Sequence, residues 1–336
     1  ELTMATYKGI KGVKVVTKAS DPTASEADGT VWYNSTGDAL KYSIAGAGAW
    51  AAGNAMNTAR SVLGSSGSQT AALAYGGDTG GASYQTATES FDGTNWATSP
   101  ATLNSGRADL GGFGTSTATI AAGGTPGPQA ETESFDGTTW TEVNDLNTAR
   151  MGAGVAGTST AGIITGGQNP PSATKLTATE TWDGTSWTET GNALNRGRVQ
   201  LRCAGDGTTT ASLVFGGYTT TASPPTGAIE STESYDGSTW TEVSDLNNDT
   251  TRAGSAGTQT SALSFGGDYL PTGKTEKWDG TSWTEVAAMV RSPAIYDMAF
   301  AGTSALAVSA GGRTPTTSAT ELWNDPVYTI KTVTVS

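Results

Sequence analysis

Residues 132–167 read TESFDGTTWTEVNDLNTARMGAGVAGTSTAGIITGG. The marks come in a fixed order: Thr-Glu, an aromatic, Asp-Gly, Trp, Leu-Asn, Arg, a Gly-Thr turn and a Gly-Gly pair. The rest of the chain copies this order. Gly-Gly pairs begin at Gly76, Gly123, Gly166, Gly216, Gly266 and Gly311, so successive pairs lie 47, 43, 50, 50 and 45 residues apart. A period of this size belongs to propellers and arrays of small sheets. Nine residues before each pair stands another glycine: Gly67, Gly114, Gly157, Gly207, Gly257 and Gly302. A constant interval implies a constant hairpin, with that glycine in the turn, where positive φ carries no Cβ penalty. The short apolar runs between the two marks, such as residues 161–165, 211–215 and 261–265, suit buried strands.

A second hairpin is as regular. Asp92, Asp136, Asp183, Asp236 and Asp279 each precede a glycine, and Trp96, Trp140, Trp187, Trp240 and Trp283 follow four residues after them. Asp-Gly is a strong hairpin turn signal. Phe91, Phe135, Trp182, Tyr235 and Trp278 sit just before it, in Thr-rich segments that favour a pleated, half-buried surface. Each unit therefore predicts four strands joined by two hairpins.

An Arg, an apolar strand, Gly-Gly, an aromatic with Asp and then a Trp resemble the kelch repeat, with Gly166, Gly167, Trp182 and Trp187 filling the pattern in one unit. The resemblance runs from about residue 50 to 323 and implies an all-β, kelch-like β-propeller of four-stranded blades. The last unit departs from it, because Trp323 is followed by Asn324 without Asp-Gly or a second Trp. A mean period of 47 over 336 residues favours seven blades. Six blades, with N- and C-terminal strands sharing one, is the alternative. The expected organisation is an extension over residues 1–11 and one propeller domain over 12–336. In it, 12–53 form an atypical first blade, 54–323 form six units, and 324–336 form a closing strand.

Composition narrows function. Lys and Arg number 18 against 31 Asp and Glu, a net charge of −13, so nucleic acid and anionic lipid are disfavoured as partners. No apolar run approaches the length of a transmembrane helix, and no membrane insertion is expected. The chain has no histidine and a single cysteine, Cys203. His-based acid–base catalysis, Ser-His-Asp triads and structural zinc are therefore excluded. The copper oxidases that share the kelch propeller use histidine ligands, so the resemblance does not carry their activity here. No metal or cofactor is expected. Paired carboxylates could still cleave a glycoside, but Glu89, Glu133, Glu180, Glu233, Glu276 and Glu321 occupy one repeated place, whereas a catalytic acid should be singular. The Asp-Gly turns lack the neighbouring acids of a calcium loop.

Two features point to binding. Arg60, Arg107, Arg150, Arg198, Arg252 and Arg291 precede the turn glycine by 7, 7, 7, 9, 5 and 11 residues. All the intervals are odd, so in regular strands all six face one side. They predict either a cationic ring at one mouth of the channel or a set of ties to the repeated Glu. The loop after each Gly-Gly pair varies, with 10, 7, 11, 14, 7 and 7 residues before the next Thr-Glu. Its face also gathers Tyr84, Tyr218, Tyr269 and prolines such as Pro170 and Pro224, and variable loops on a rigid scaffold commonly carry recognition. Residues 30–43, TVWYNSTGDALKYS, resemble short segments near the start of phage tail-fibre and appendage proteins, especially those of marine phages. That likeness implies a non-enzymatic virion protein on the particle surface, bound to other virion proteins or to a host-surface glycan. A glycan-binding propeller of non-viral origin and a carboxylate-dependent glycoside enzyme are the alternatives.

Overall fold

The computed structural model describes residues 15–22, 30–45, 48–127, 129–169, 174–220, 227–268, 273–291, 295–313, 315–325 and 328–333. Every regular element among them is a strand. The strands make seven four-stranded sheets and one two-stranded ribbon, Gln168–Asn169 with Thr174–Lys175. They fall into two compact units: Ala49–Asn324, and Glu1–Gly48 with Asp325–Ser336.

The larger unit is a β-propeller. Its first blade runs Gly64–Ser68, Ala71–Tyr75, Ala87–Phe91, Trp96–Thr102, antiparallel throughout. The next four blades open with Gly111–Thr115, Gly154–Thr158, Arg202–Thr208 and Gly254–Thr258. The sixth joins Ala299–Gly302, Leu306–Ala310 and Thr320–Asn324 to Ala49–Gly53, a strand from the other end of the unit. Innermost strands contact one another in cyclic order, and the sixth touches the first. The seven four-stranded sheets that the repeat arithmetic expects are present, and they divide six and one. The ring of six is the arrangement in which strands from two ends of the sequence share a blade.

The closing strand is Ala49–Gly53, where residues 324–336 were expected. Trp50 stands opposite Trp323 in the ladder, so it supplies the second Trp that the last repeat lacks. Tyr328–Thr332 pairs instead with Ala39–Ala45. Residues 12–53 thus do not form one blade. Val16–Lys18, Val31–Asn34 and Ala39–Ala45 join Tyr328–Thr332 in the sheet of the smaller unit, where Asp21 accepts hydrogen bonds from Trp32, Asn34 and Lys41.

The repeated Trp explains how blades are joined. Trp140 is buried against Tyr75 of the preceding blade, with ring centroids 4.8 Å apart, and its Nε1 donates to Thr88 Oγ1 of that blade at 3.0 Å. Trp96, Trp187, Trp240 and Trp283 donate likewise to Thr320, Thr132, Thr179 and Thr232, and Trp50 donates to Thr275. The circuit has six members and closes on itself. A buried indole needs such a partner, and this accounts for the Thr of every Thr-Glu.

The Gly-Gly pair has an equally local reason. Gly76 and Gly77 have φ of 63° and 91°, conformations that a side chain makes costly. The Gly77 N–H donates to the Arg107 carbonyl of the next blade at 2.8 Å, and a Cβ on Gly76 would stand 2.5 Å from that same oxygen. The corresponding bond recurs from Gly124, Gly167, Gly217, Gly267 and Gly312, the last closing on Arg60.

Candidate functional site

Each blade begins with an Arg slot, and the slot is internal. Arg60, Arg107, Arg150 and Arg198 have side chains with no exposed surface. Arg150 Nη1 donates to the carbonyls of Gly166 at 3.0 Å and Ala178 at 2.9 Å, and Nη2 donates to Glu180 at 2.7 Å. Arg60, Arg107 and Arg198 make the same three contacts, with Glu89, Glu133 and Glu233 as the acids. Each Glu also accepts the backbone N–H of the Asn that follows the buried Leu or Met of the incoming loop: Asn57, Asn104, Asn147 and Asn195. Burial draws the guanidinium pKa of Arg60, Arg150 and Arg198 below its usual value, and the paired Glu opposes that shift. A cationic ring at the mouth, built of all six arginines, is therefore not what the fold contains. The repeated Glu takes up the charge within the blade.

Of the three arginines at irregular spacing, Arg198 fills its slot as above, and the other two diverge. Arg291 starts farther upstream, yet it delivers Nη1 to the carbonyls of Gly311 and Ala319 and pairs with Glu321, so it fills the slot of the sixth blade. Arg252 does not fill a slot. In its blade the slot residue is Thr250, whose carbonyl accepts from Gly217 as the Arg107 carbonyl accepts from Gly77. Arg252 stands two residues further on, in the left-handed conformation with φ 58°.

That position defines the mouth of the channel. Val62, Asp109, Gly152, Gln200, Arg252 and Asp297 all have positive φ between 55° and 61°. Each donates its backbone N–H to the carbonyl of the same position in the preceding blade, Val62 donating to Asp297, at 2.6–3.1 Å. The six bonds form a closed annulus. Above it opens a cavity of about 620 Å³ that includes Asp78, Tyr84, Asp109, Arg252, Asp297 and Arg313 in its lining. Asp297 is 4% exposed. Arg252 Nε and Arg313 Nε each lie 3.8 Å from its carboxylate, too far for a hydrogen bond. Arg252 also pairs with Asp268, and Arg313 with Asp78, both at 3.4 Å. Burial first, then repulsion from Asp109, pushes the Asp297 carboxyl up to about 6, against the pull of Arg252, Arg202 and Arg313. Burial also raises the pKa of Asp109. Below the annulus, Arg202 crosses the throat with its guanidinium 5.3 Å from the Phe300 ring centroid.

The opposite end of the channel differs. Its vestibule, about 310 Å³, is lined by the Gly-turn hairpins (Gly67, Gly114, Gly157, Gly257 and Gly302 among them), and no charged residue stands among the described residues of that lining. Cys203 lies at its inner wall, with burial raising the thiol to about 12. The Asp-Gly turns use Asp92, Asp136, Asp183, Asp236 and Asp279 locally, since in each one carboxylate oxygen accepts the backbone N–H groups two and three residues on. Among the described residues no group of three or more Cys, Asp or Glu is arranged to hold a metal ion.

The chain matches no protein-family model and no curated protein.

Of the residues expected to bind, the structure brings Arg252 and Tyr84 to one cavity. Tyr218 is not in that lining. Its ring faces Lys175 Nζ at 5.7 Å and packs against Gly227. Tyr269, Pro170 and Pro224 lie outside the described residues. Sequence reading missed Asp78, Asp109, Asp297, Arg202 and Arg313. A signal for part of this set was available. Counting back five residues from the turn glycine gives Val62, Asp109, Gly152, Arg252 and Asp297, a position with no common residue type, where only Asp occurs twice. In the fourth blade the interval to Gln200 is seven, and the register shift between Ala204 and Thr208 absorbs the difference.

Proposed function

We propose that the chain is a non-enzymatic binding module of a virion appendage, recognising a host-surface glycan or a protein partner with the face that carries the Gly-Gly loops. The observation behind this reading is the contrast between the two ends of the channel. One end repeats the same short hairpin, and the described residues of its lining carry no charge. The other combines loops of unequal length with a mouth lined by charged and aromatic side chains that are not the same in every blade. Repetition serves the scaffold, and departure from it is where selection for a ligand would act. The kelch-like order and the phage-like segment at residues 30–43 supply the virion context.

The test is attachment of the purified protein to an array of bacterial surface polysaccharides and to host cells. Tyr84→Ala and Arg313→Ala are compared with Thr138→Ala in a turn of the uniform face. Loss with the first two and retention with the third is expected. The reverse pattern would reject the assignment of faces.

One observation favours a second reading. Asp109 and Asp297 are the two acids of the annulus position and share a cavity, and Asp297 is raised to about 6, as a general acid is in glycoside cleavage. Release of reducing ends from the same polysaccharides, abolished by Asp297→Asn, would replace binding with catalysis.

A further inference from the structure

The charged mouth is incompletely satisfied by its own residues. Asp297 is almost wholly buried, yet its two guanidinium neighbours stay at 3.8 Å, beyond hydrogen-bond reach. Arg252 Nε is buried without a hydrogen-bond partner. Buried charge of this kind costs stability unless it is paired and hydrogen-bonded. Asp109 shares the cavity, and its carboxyl feels Arg202, Arg252 and Arg313 only through space. The side chains of Arg252 and Arg313 remain 29% and 39% exposed at the rim. Tyr84 contributes to the wall. A cavity of about 620 Å³ is within the range of roughly 300–1,000 Å³ usual for small-molecule sites.

From this arrangement we infer that the channel mouth is a site for a small zwitterion, with its ammonium group on the Asp109 and Asp297 carboxylates and its anionic group on Arg252 and Arg313. An ammonium supplies the donors that Asp297 lacks at hydrogen-bond distance. A carboxylate or phosphate supplies acceptors for guanidinium groups whose present ion pairs are long. A lone cation would leave Arg252 and Arg313 as they are, and a lone anion would meet Asp297 and Asp109. A ligand with both charges a few bonds apart therefore suits the site better than either half. Surface phosphoethanolamine and free amino acids share this chemistry. The inference rests on the proposed function only in taking the loop-bearing face as the recognising one.

The experiment is a calorimetric titration of the intact chain near neutral pH with O-phosphoethanolamine and with glycine, and with ethanolamine and inorganic phosphate as halves. At least one zwitterion should bind at a single site about tenfold or more tightly than either half. If phosphoethanolamine alone does so, the source is a surface headgroup; if glycine also does, it is the amino acid class. Asp297→Asn and Arg313→Gln should each weaken that binding about tenfold or more while the melting curve stays cooperative. Asp109→Asn substitutes for the first if that variant does not fold. Binding of the zwitterions no tighter than of their halves, or unchanged binding in folded variants, overturns the inference. Attachment of the whole protein to surfaces is read separately, so retained attachment without zwitterion binding rejects this site and leaves the proposed function standing.

Discussion

Arg150 shows why residue type and spacing do not by themselves separate a ligand site from a structural tie. Its guanidinium donates to two carbonyls and to Glu180 inside the blade, with no surface exposed. Removing one partner of such a pair strands a buried charge, so Arg150→Ala should cost about 3–5 kcal/mol in denaturant unfolding. A change near zero would mean that the slot is solvated. The same substitution offers no direct test of ligand attachment, because the side chain reaches no surface. Asp297 belongs to the same scale and carries a pH signature. Its carboxyl is raised to about 6 from an ordinary value near 3.8, by burial and then by Asp109, with Arg252, Arg202 and Arg313 acting against the shift. The folded state therefore holds a proton that the unfolded chain has already lost. Over that interval stability falls as pH rises, and below the unfolded value the penalty vanishes. Asp297→Asn has no such proton, so its stability relative to the parent should increase between about pH 4 and pH 6, by an amount on the order of 2–3 kcal/mol. Melting both proteins across that range checks the sign. A difference that is flat, or that falls with pH, contradicts the placement of Asp297.

At the scale of the element, the repeated Trp is the unit of blade-to-blade adhesion. Trp140 touches Tyr75 and Phe135, and its Nε1 crosses to Thr88. Trp140→Ala removes large buried surface and one buried donor, and should cost about 3–5 kcal/mol. Equilibrium unfolding measures this, and a loss below about 1 kcal/mol would be inconsistent with the interface. This element was legible in the sequence, because hairpin turns and the residues packed next to them recur at fixed distances. Gly-Gly, Trp and Thr-Glu each answer to one local requirement repeated six times, and Asp-Gly to one repeated five times. The mouth was hidden for the opposite reason. Val62, Asp109, Gly152, Gln200, Arg252 and Asp297 share a backbone conformation but no common residue type. Aligning the units on their arginines placed Arg252 in a slot that Thr250 holds and concealed that Arg291 reaches the slot from upstream. Asp78 and Arg313 sit in or beside loops of unequal length, and only the folded ring brings them within 3.4 Å of each other.

At the scale of the whole ring, closure depends on a strand drawn from elsewhere in the chain. Ala49–Gly53 completes the sixth blade, and Trp50 carries the indole circuit across the seam to Thr275. Deleting residues 49–53 should open an edge of unpaired backbone in that blade. The expected result is a sharply lower melting temperature and concentration-dependent association in light scattering. Ending the chain after Asn324 should leave the melting of the ring close to that of the parent, since Tyr328–Thr332 pairs within the other unit. Equal effects of the two deletions would contradict this division. The ladder of the sixth blade has one more implication. Trp323 faces Trp50 as Phe135 faces Trp140, so the gap between them is the gap that a four-residue Asp-Gly turn spans in the second blade. The break in the ring thus falls where an Asp-Gly turn stands in the second blade, and the chain enters and leaves the ring there. Joining Trp323 to Trp50 through Asp-Gly-Thr-Thr, and opening the chain at Gly93–Thr94 instead, should give a circular permutant with the same six blades and one cooperative melt. In that molecule the seam would have moved to the first blade, and no position in the circle would be privileged as the beginning.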